Sequence, residues 1–271
     1  MSFQSSLSGI NAATQKLDVI GVNVANAQTV GFKETKANFA DMFVNSSQGM
    51  TMGSGALSVK LAQQFQQGNL QSSTNVLDIA ISGQGFFQVM RPDGSLAYSR
   101  NGEFHVDKDQ YLVTVSGDKV MGVNGPIQID MAKYGGTLRI SPEGKIQGSD
   151  GVTRGPEKIV PDPLNLGKTI STPGDYVYQD IATLQLHSFR NIGGLESLGD
   201  NLWGESRTTG AMVFGTPGSG IFGIVEAGMT EASNADLNEN LVNMIVAQRE
   251  YQGNSQAMKI QLEMDLSLAK L

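Results

Sequence analysis

The groups able to do chemistry are few. Cysteine is absent and histidine occurs twice, as His105 and His187, which removes thiol nucleophiles, disulfides and cysteine-held zinc or iron–sulfur centres. Neither histidine stands at metal-ligand spacing or in a triad-like motif, and both fall in alternating stretches, so both are read as strand side chains. Asp107 and Asp109 in DKDQYLVTVSGD begin like a calcium loop. Leu112, however, occupies the position where a glycine must make the sharp turn, and Asp118 the one where a bidentate glutamate is needed. That stretch reads as a hairpin turn. Gly83 and Gly85 precede Phe86 and Phe87 rather than a helix, while Gly53/Gly55 and Gly218/Gly220 lack the lysine of a phosphate cradle. Ser54 and Ser219 each sit in Gly-Ser-Gly, a connector pattern and not a nucleophile elbow. Trp203 and the Phe86/Phe87 pair have the chemistry of a sugar or peptide platform, but their apolar context assigns them to a core. The expectation is no catalytic, cofactor-binding or metal-ligating residue, no cofactor, and no enzyme.

The elements around these residues have helical ends and a strand-rich middle. Phe3, Ile10, Leu17 and Val24 recur every seven residues, with Ala13, Ile20 and Ala27 as a second line, which predicts a helix over about 3 to 28. Gly9, Ala12, Gly21 and Ala25 lower its intrinsic helicity, each glycine by about 1 kcal/mol relative to alanine, and permit close helix approach. Alone such a helix is marginal, so it implies partner helices. At the other end Asp236 and Glu239 resemble a capping box, followed by an apolar series along a helix running to the C-terminus. The residues expected to pack against partner helices, whether of the same chain or of neighbouring subunits, are Phe3, Leu7, Ile10, Leu17, Ile20 and Val24 on the first helix. On the second they are Leu237, Leu241, Met244, Ile245, Tyr251, Met258, Leu262 and Leu266. Gly253 and the polar Gln248, Gln252 and Ser255 loosen this second seam in its middle.

Between the helices the period changes. Residues 77–81, 85–90, 95–100, 111–115, 127–130, 137–141 and 181–189 read as strands, divided by RPDGS, DKDQ, VNGP, SPEG and GSDG turns. Short strands with no helix between them predict an antiparallel sandwich or barrel. The fold class is therefore α+β: terminal helices in a coiled-coil-like layer, with an antiparallel β-rich domain inserted between them. The expected divisions are 1–44 plus 230–271 for the helical polymerisation domain, 45–76 for an extended connector, and 77–229 for the β-rich domain. Gly/Ser/Gln-rich stretches near 45–75 and 215–224 supply the connectors.

A chain of 271 residues can bury about 70 to 75% of its unfolded surface, enough for one or two real cores. With 19 basic against 26 acidic residues and a net charge of −7, a nucleic-acid partner is not expected. No apolar run approaches the roughly 18 to 20 residues of a transmembrane helix, and MSFQSSLSGINAATQ lacks the basic and apolar regions of a cleavable signal. The 33 glycines with only 17% charged residues read as many tight turns on a sparsely charged surface.

Three motifs in order resemble one family. SLSGINAATQKLDVIGVNVANAQTVGFKETKANFADMF is similar to the N-terminal signature of the flagellar axial proteins, the rod and hook components. LDIAISGQGFFQV and YSRNGEFHVDKDQYLVT resemble the family's β module, and EASNADLNENLVNMIVAQREYQGNSQAM its terminal helix. The TVGFK…FADMF tail and the terminal helix look most like hook members, while the short β region leaves the distal rod members as the alternative. A third reading is a secreted β binding module with helical oligomerisation ends. The resemblance implies a self-polymer, a helical tube that joins rod to filament and transmits torque. It also implies neighbouring axial proteins at the rod and hook–filament junctions, and a type III export apparatus as a partner during secretion. The expected location is the extracellular hook, or the periplasmic rod in the alternative.

Overall fold

The computed structural model describes residues 3–45, 51–134, 137–151, 158–161, 169–172 and 177–268. The chain divides into two compact units, Met1–Gln66 with Ser233–Leu271, and Gln67–Ala232. In chain order, α1 (Phe3–Ala25) leads to β1 (Thr35–Asn45) and β2 (Thr51–Gln63). The second unit starts with β3 (Leu70–Ser72), β4 (Ile79–Ser82), β5 (Phe86–Met90), β6 (Leu96–Ser99), β7 (Phe104–Val106) and β8 (Leu112–Thr114). It continues through β9 (Lys119–Gly122), β10 (Gly125–Pro126), the one-turn α2 (Met131–Tyr134), β11 (Leu138–Ile140) and β12 (Lys145–Gly148). Next come β13 (Lys158–Pro161), β14 (Thr169–Thr172), β15 (Gln179–Thr183), β16 (Leu186–Phe189) and β17 (Glu196–Gly199). After β18 (Leu202–Gly204), β19 (Met212–Gly215), β20 (Ile224–Ala227) and β21 (Met229–Glu231), α3 (Leu237–Leu268) closes the chain in the first unit.

The first unit pairs two helices with a long hairpin. α1 stops at Ala25, short of the expected residue 28: the Asn26 N–H still reaches the Val22 carbonyl at 3.1 Å, but the Ala27 N–H turns to Val24 at 3.3 Å, a tighter bond to the third residue back. The chain then turns at Gly31, whose φ of 71° is open to glycine at little steric cost. α3 spans 32 residues, about 48 Å at 1.5 Å per residue. Asp236 caps it: its Oδ1 accepts the N–H groups of Asn238 at 2.7 Å and Glu239 at 3.1 Å. Only half of the expected capping box forms, since among the described residues the Glu239 carboxylate returns no bond to the Asp236 N–H.

The hairpin corrects the sequence reading, which places 35–44 with the helices and 45–76 in a connector. β1 and β2 instead pair antiparallel from Thr35↔Gln63 to Asn45↔Thr51, with a bulge between Asp41 and Phe43. The signal was present in the second half of β2, where Leu57, Val59 and Leu61 alternate with Ser58 and Lys60, but Gly53 and Gly55 beside it read as connector.

The second unit is antiparallel throughout its described pairings, and β5 is its centre. β5 pairs with β6, β9 and β16 inside a ten-stranded sheet whose main path runs β17-β18-β6-β5-β9-β8-β7. Alternation along FFQVM gives β5 two different faces. Phe87 and Val89 enter an aliphatic core with Ile79, Ile81, Leu112 and Val120, all essentially without exposure. Phe86 points the other way, edge-on to Trp203 at 5.8 Å, beside Phe189 and under the Arg100 guanidinium at 5.3 Å. Both aromatic sets are thus core, as their sequence context indicates, and β7 and β8 confirm the hairpin at DKDQ. Gly102 shows how tight the aliphatic side is: a Cβ there would meet the Ile79 carbonyl oxygen at 1.7 Å.

Two strand expectations need correction. Residues 127–130 form no strand, yet Ile127 and Ile129 are buried, held by backbone bonds to Leu112, Val120 and Gln110. Residues 181–189 break at Leu184, whose N–H donates to the Gly144 carbonyl, so β15 joins β12 while β16 joins β5. Parts of the region 141–178 lie outside the described residues.

Chain entry and exit to the second unit lie side by side. β3 pairs with β21 through Leu70↔Glu231, Gln71↔Thr230 and Ser72↔Met229. Glu231 is buried there; its Oε1 accepts the Gly68 N–H at 2.9 Å and its Oε2 meets Arg100 Nη1 at 3.3 Å. Arg100 Nη2 donates to the Gly83 carbonyl at 2.8 Å. Desolvation by burial lowers the Arg100 pKa, opposed by the Glu231 carboxylate.

Candidate functional site

The residues singled out for assembly lie on α1 and α3, which run antiparallel. Gly9 faces Asn254, Lys16 bridges Glu250 at 3.1 Å, and Asn23 reaches Asn240 at 3.4 Å. The closest approach is at Gly9, where a Cβ would stand 2.6 Å from Asn254 Nδ2. Gly21, expected to serve the same purpose, has nothing within 4 Å of its Cβ position.

Of the two apolar lines on α1, the second is the one that is buried. Ser6, Ala13 and Ile20 are sealed, with Asn23 beside them, whereas Ile10, Leu17 and Val24 are half-buried and Leu7 is exposed. The side chain of Phe3 lies outside the described residues. α3 buries Asn240 and Ala247 and half-buries Met244, Asn254 and Met258. Leu237, Leu241, Ile245, Tyr251, Leu262 and Leu266 are left exposed, Ile245 at 52% and Leu266 at 62%. Val242, Val246, Ile260 and Met264 are exposed as well, so α3 carries bare apolar groups on most of its circumference. Large apolar groups bared on several sides of one helix mark a surface that other chains can cover.

What holds the helix ends is polar. The Asn23 carboxamide pairs with the Thr35 backbone like another strand, Nδ2 donating to the carbonyl at 2.9 Å and Oδ1 accepting the N–H at 3.1 Å. Asn240 Nδ2 donates to the Asp236 carbonyl at 2.8 Å and to Glu34 Oε1 at 3.3 Å. Asn234 extends the cluster, accepting the Glu34 N–H at 2.6 Å and donating to the Gln64 and Gln66 carbonyls. Lys33, wholly buried, donates its ammonium to the Gln66 carbonyl at 2.8 Å. Sequence reading passed over these residues because hydropathy counts Asn as a surface residue. The available signal was Asn23 standing three residues after seam position Ile20, in the manner of a polar residue at a coiled-coil core position.

The chemistry of catalysis does not assemble. Among the described residues no three His, Asp or Glu side chains are grouped to hold a metal, and no helix is long and apolar enough to cross a membrane. A cavity of about 200 Å³ beside the Asn23–Asn240 pair is lined by Lys16, Glu34, Thr35, Lys36, Glu239 and carboxamides, without an imidazole. His105 is exposed, while His187 is buried between Tyr98 and Phe214 with Nδ1 unpartnered, and desolvation lowers its pKa to about 4. Tyr98 donates to Glu205 at 2.8 Å, and its pKa is raised, first by burial.

Known proteins match along the whole chain. Residues 3–33 fit the family described as flagella basal body rod protein, residues 80–162 the flagellar hook protein FlgE/F/G D1 domain, and residues 226–271 the flagellar basal body rod FlgEFG protein C-terminal. The flagellar basal-body rod protein FlgG of Buchnera aphidicola subsp. Schizaphis graminum is 33% identical over 98% of this chain and 97% of the relative. The chain belongs to the flagellar axial family of rod and hook proteins. FlgG of Bacillus subtilis is 34% identical over 94% of this chain and 92% of its own, and the hook protein FlgE of Salmonella typhimurium 29% over 96% and 97%. These axial relatives are structural proteins, and the chain is accordingly a structural rod or hook component and not an enzyme.

Proposed function

We propose that this chain is a subunit of the flagellar hook, polymerising through α1 and α3 into a tube that joins rod to filament and passes torque between them. The observation that carries polymerisation is the exposed apolar surface of α3. A 32-residue helix with Leu241, Ile245, Tyr251, Leu262 and Leu266 open to water needs neighbours to cover it, and the lattice of a helical tube supplies them on several sides. The two helices then form a coiled-coil-like layer shared among subunits, with the β-rich unit carried on it. Unlike faces meet in such a contact, so growth is open-ended. Neighbouring axial proteins would meet the same faces at each end of the tube, and the chain would leave the cell by flagellar export.

The hook assignment leans on the FADMF stretch at residues 39–43 and the NADLNENLVNMIVAQREYQ segment of α3. A second reading, a distal rod subunit, is favoured by length. The rod relative aligns over 280 positions, close to this chain's 271 residues, while the alignment with the hook relative runs to 397 because that protein holds inserted segments. Electron microscopy of cells lacking the gene separates the two. A hook subunit leaves a completed rod with no curved tube beyond it; basal bodies with no rod past the inner membrane would give the distal rod its place. Purified protein forming neither a curved nor a straight tube would remove both readings.

A further inference from the structure

We infer that the Asn23–Asn240 carboxamide pair is a register lock, selecting which turn of α3 lies against which turn of α1 and tying both to the first residue of β1. The need for such a lock follows from the face that α3 turns to α1. Asn240, Ala247 and Asn254 lie on it with Met244 and Met258 half-buried beside them, so sliding α3 by one turn along α1 changes the buried apolar area little and hydrophobic contact alone discriminates weakly among registers.

Directional groups discriminate well. Asn23 is 2% exposed and so is Asn240, and in the observed register each finds its partners: Thr35 on both sides of its peptide for Asn23, and Asp236, Glu34 and the Asn23 amide for Asn240. A slip of one turn brings Asp236 or Met244 opposite Asn23 and parts the two carboxamides. The Thr35 bonds of Asn23 and the Asp236 bond of Asn240 lie within single segments and survive a slip, whereas the Asn23–Asn240 and Asn240–Glu34 bonds are lost. Asn240 Oδ1, buried without its donor, then disfavours the slipped register by roughly 5- to 100-fold. Gly9 adds a steric mark at the far end of the pair, since the seat that Asn254 occupies with almost no clearance would receive the bulkier Glu250 or Met258. The lock is therefore a specificity device whose buried polar groups lend little net stability, as polar residues inside helix seams elsewhere do. It holds for hook and rod alike.

The test uses the absence of cysteine from the chain. In the full-length protein, Lys16→Cys is combined in turn with Glu250→Cys, Val246→Cys or Asn254→Cys, and disulfide formation is scored under mild oxidation. The parent is expected to give the 16–250 product predominantly. In Asn23→Leu/Asn240→Leu, and to a lesser degree in Asn240→Leu alone, the product is expected to spread to 16–246 and 16–254 while helical circular dichroism and melting temperature stay level or rise. Retention of 16–250 as the sole product in both variants would overturn the inference. So would loss of helicity in both variants, which would make the pair a stability element, or a parent chain that cross-links in no register.

Discussion

The two units solve opposite problems. The Gln67–Ala232 unit buries Phe86, Phe87, Trp203 and a run of isoleucines and valines around β5, and its interior resembles that of any independently stable domain. Its counterpart, built from both chain ends, seals among its described residues Ser6, Asn23, Lys33 and Asn240 alongside Ala13, Ile20, Phe32, Ala235 and Ala247, and leaves Leu237, Leu241, Ile245, Leu262 and Leu266 exposed. Both units bare large apolar side chains, Phe214 and Ile221 in the one and Ile245 and Leu266 in the other, and the β-rich unit sets the larger sealed core against them. The difference teaches that stability and assembly are assigned to separate parts of this chain, and that mutations should sort accordingly.

The strongest blow falls on the β-rich unit. Trp203→Ala removes an indole packed edge-on to Phe86 and is expected to cost about 3 to 5 kcal/mol in chemical denaturation, with the unfolding transition moving far to lower denaturant. Arg100→Met should cost a comparable amount, about 3 to 5 kcal/mol, because it removes the buried guanidinium that meets the Glu231 carboxylate. Hydrogen exchange offers the finer readout: protection at Leu70–Ser72 and Met229–Glu231 should fall before that of β5. An unchanged midpoint in either variant would erase the contrast between the units.

Acid gives an intermediate effect. The folded His187 pKa, about 4, lies below the ordinary 6.5, so the unfolded chain takes up a proton over that interval and the folded one does not. Stability should therefore decline as pH falls from about 6.5 to about 4, by roughly 3 kcal/mol if the whole shift is expressed. The His187→Leu variant should lack this slope in denaturation curves taken at pH 7 and pH 4.5, and a wild-type slope in that variant would locate the acid sensitivity elsewhere.

The smallest thermodynamic effect is the most telling. Leu241→Asp changes an exposed position on α3, so the unfolding of the isolated chain should move by no more than about 0.5 kcal/mol. Polymerisation, followed by sedimentation or electron microscopy, should nevertheless fail, because the added carboxylate would have to be desolvated inside the wall. Tubes of normal yield from this variant would mean that the bare face of α3 is not an assembly surface.

These contrasts also mark what was legible in the sequence. The seven-residue recurrence over Ala13 and Ile20, the cap at Asp236, and the alternation in FFQVM and LDIAI are local patterns, and each reappears as an element. β1 and β2 were passed over although Leu57, Val59 and Leu61 alternate, because Gly53, Gly55 and the Gly/Ser/Gln residues around them read as connector. The half of the helix seam that closes was hidden for a related reason: α3 turns toward α1 with Asn240, Ala247 and Asn254, a small and polar face, while Leu237, Leu241 and Ile245 point away. Hydropathy marks what seeks burial somewhere, and in a polymer that somewhere need not be within the same chain.

The adjacency of β3 and β21 has a further meaning for construction. Leu70 and Glu231 are ladder partners, so the chain leaves the helical unit and returns to it across a gap of about one strand spacing, near 4.8 Å. Seen from the helices, the entire β-rich unit is a loop whose ends are already joined. Closing that gap with a short turn would cost little conformational entropy. The unit is in that sense a removable cartridge: it can be excised, enlarged or exchanged at one fixed seam while the helices that build the wall stay as they are.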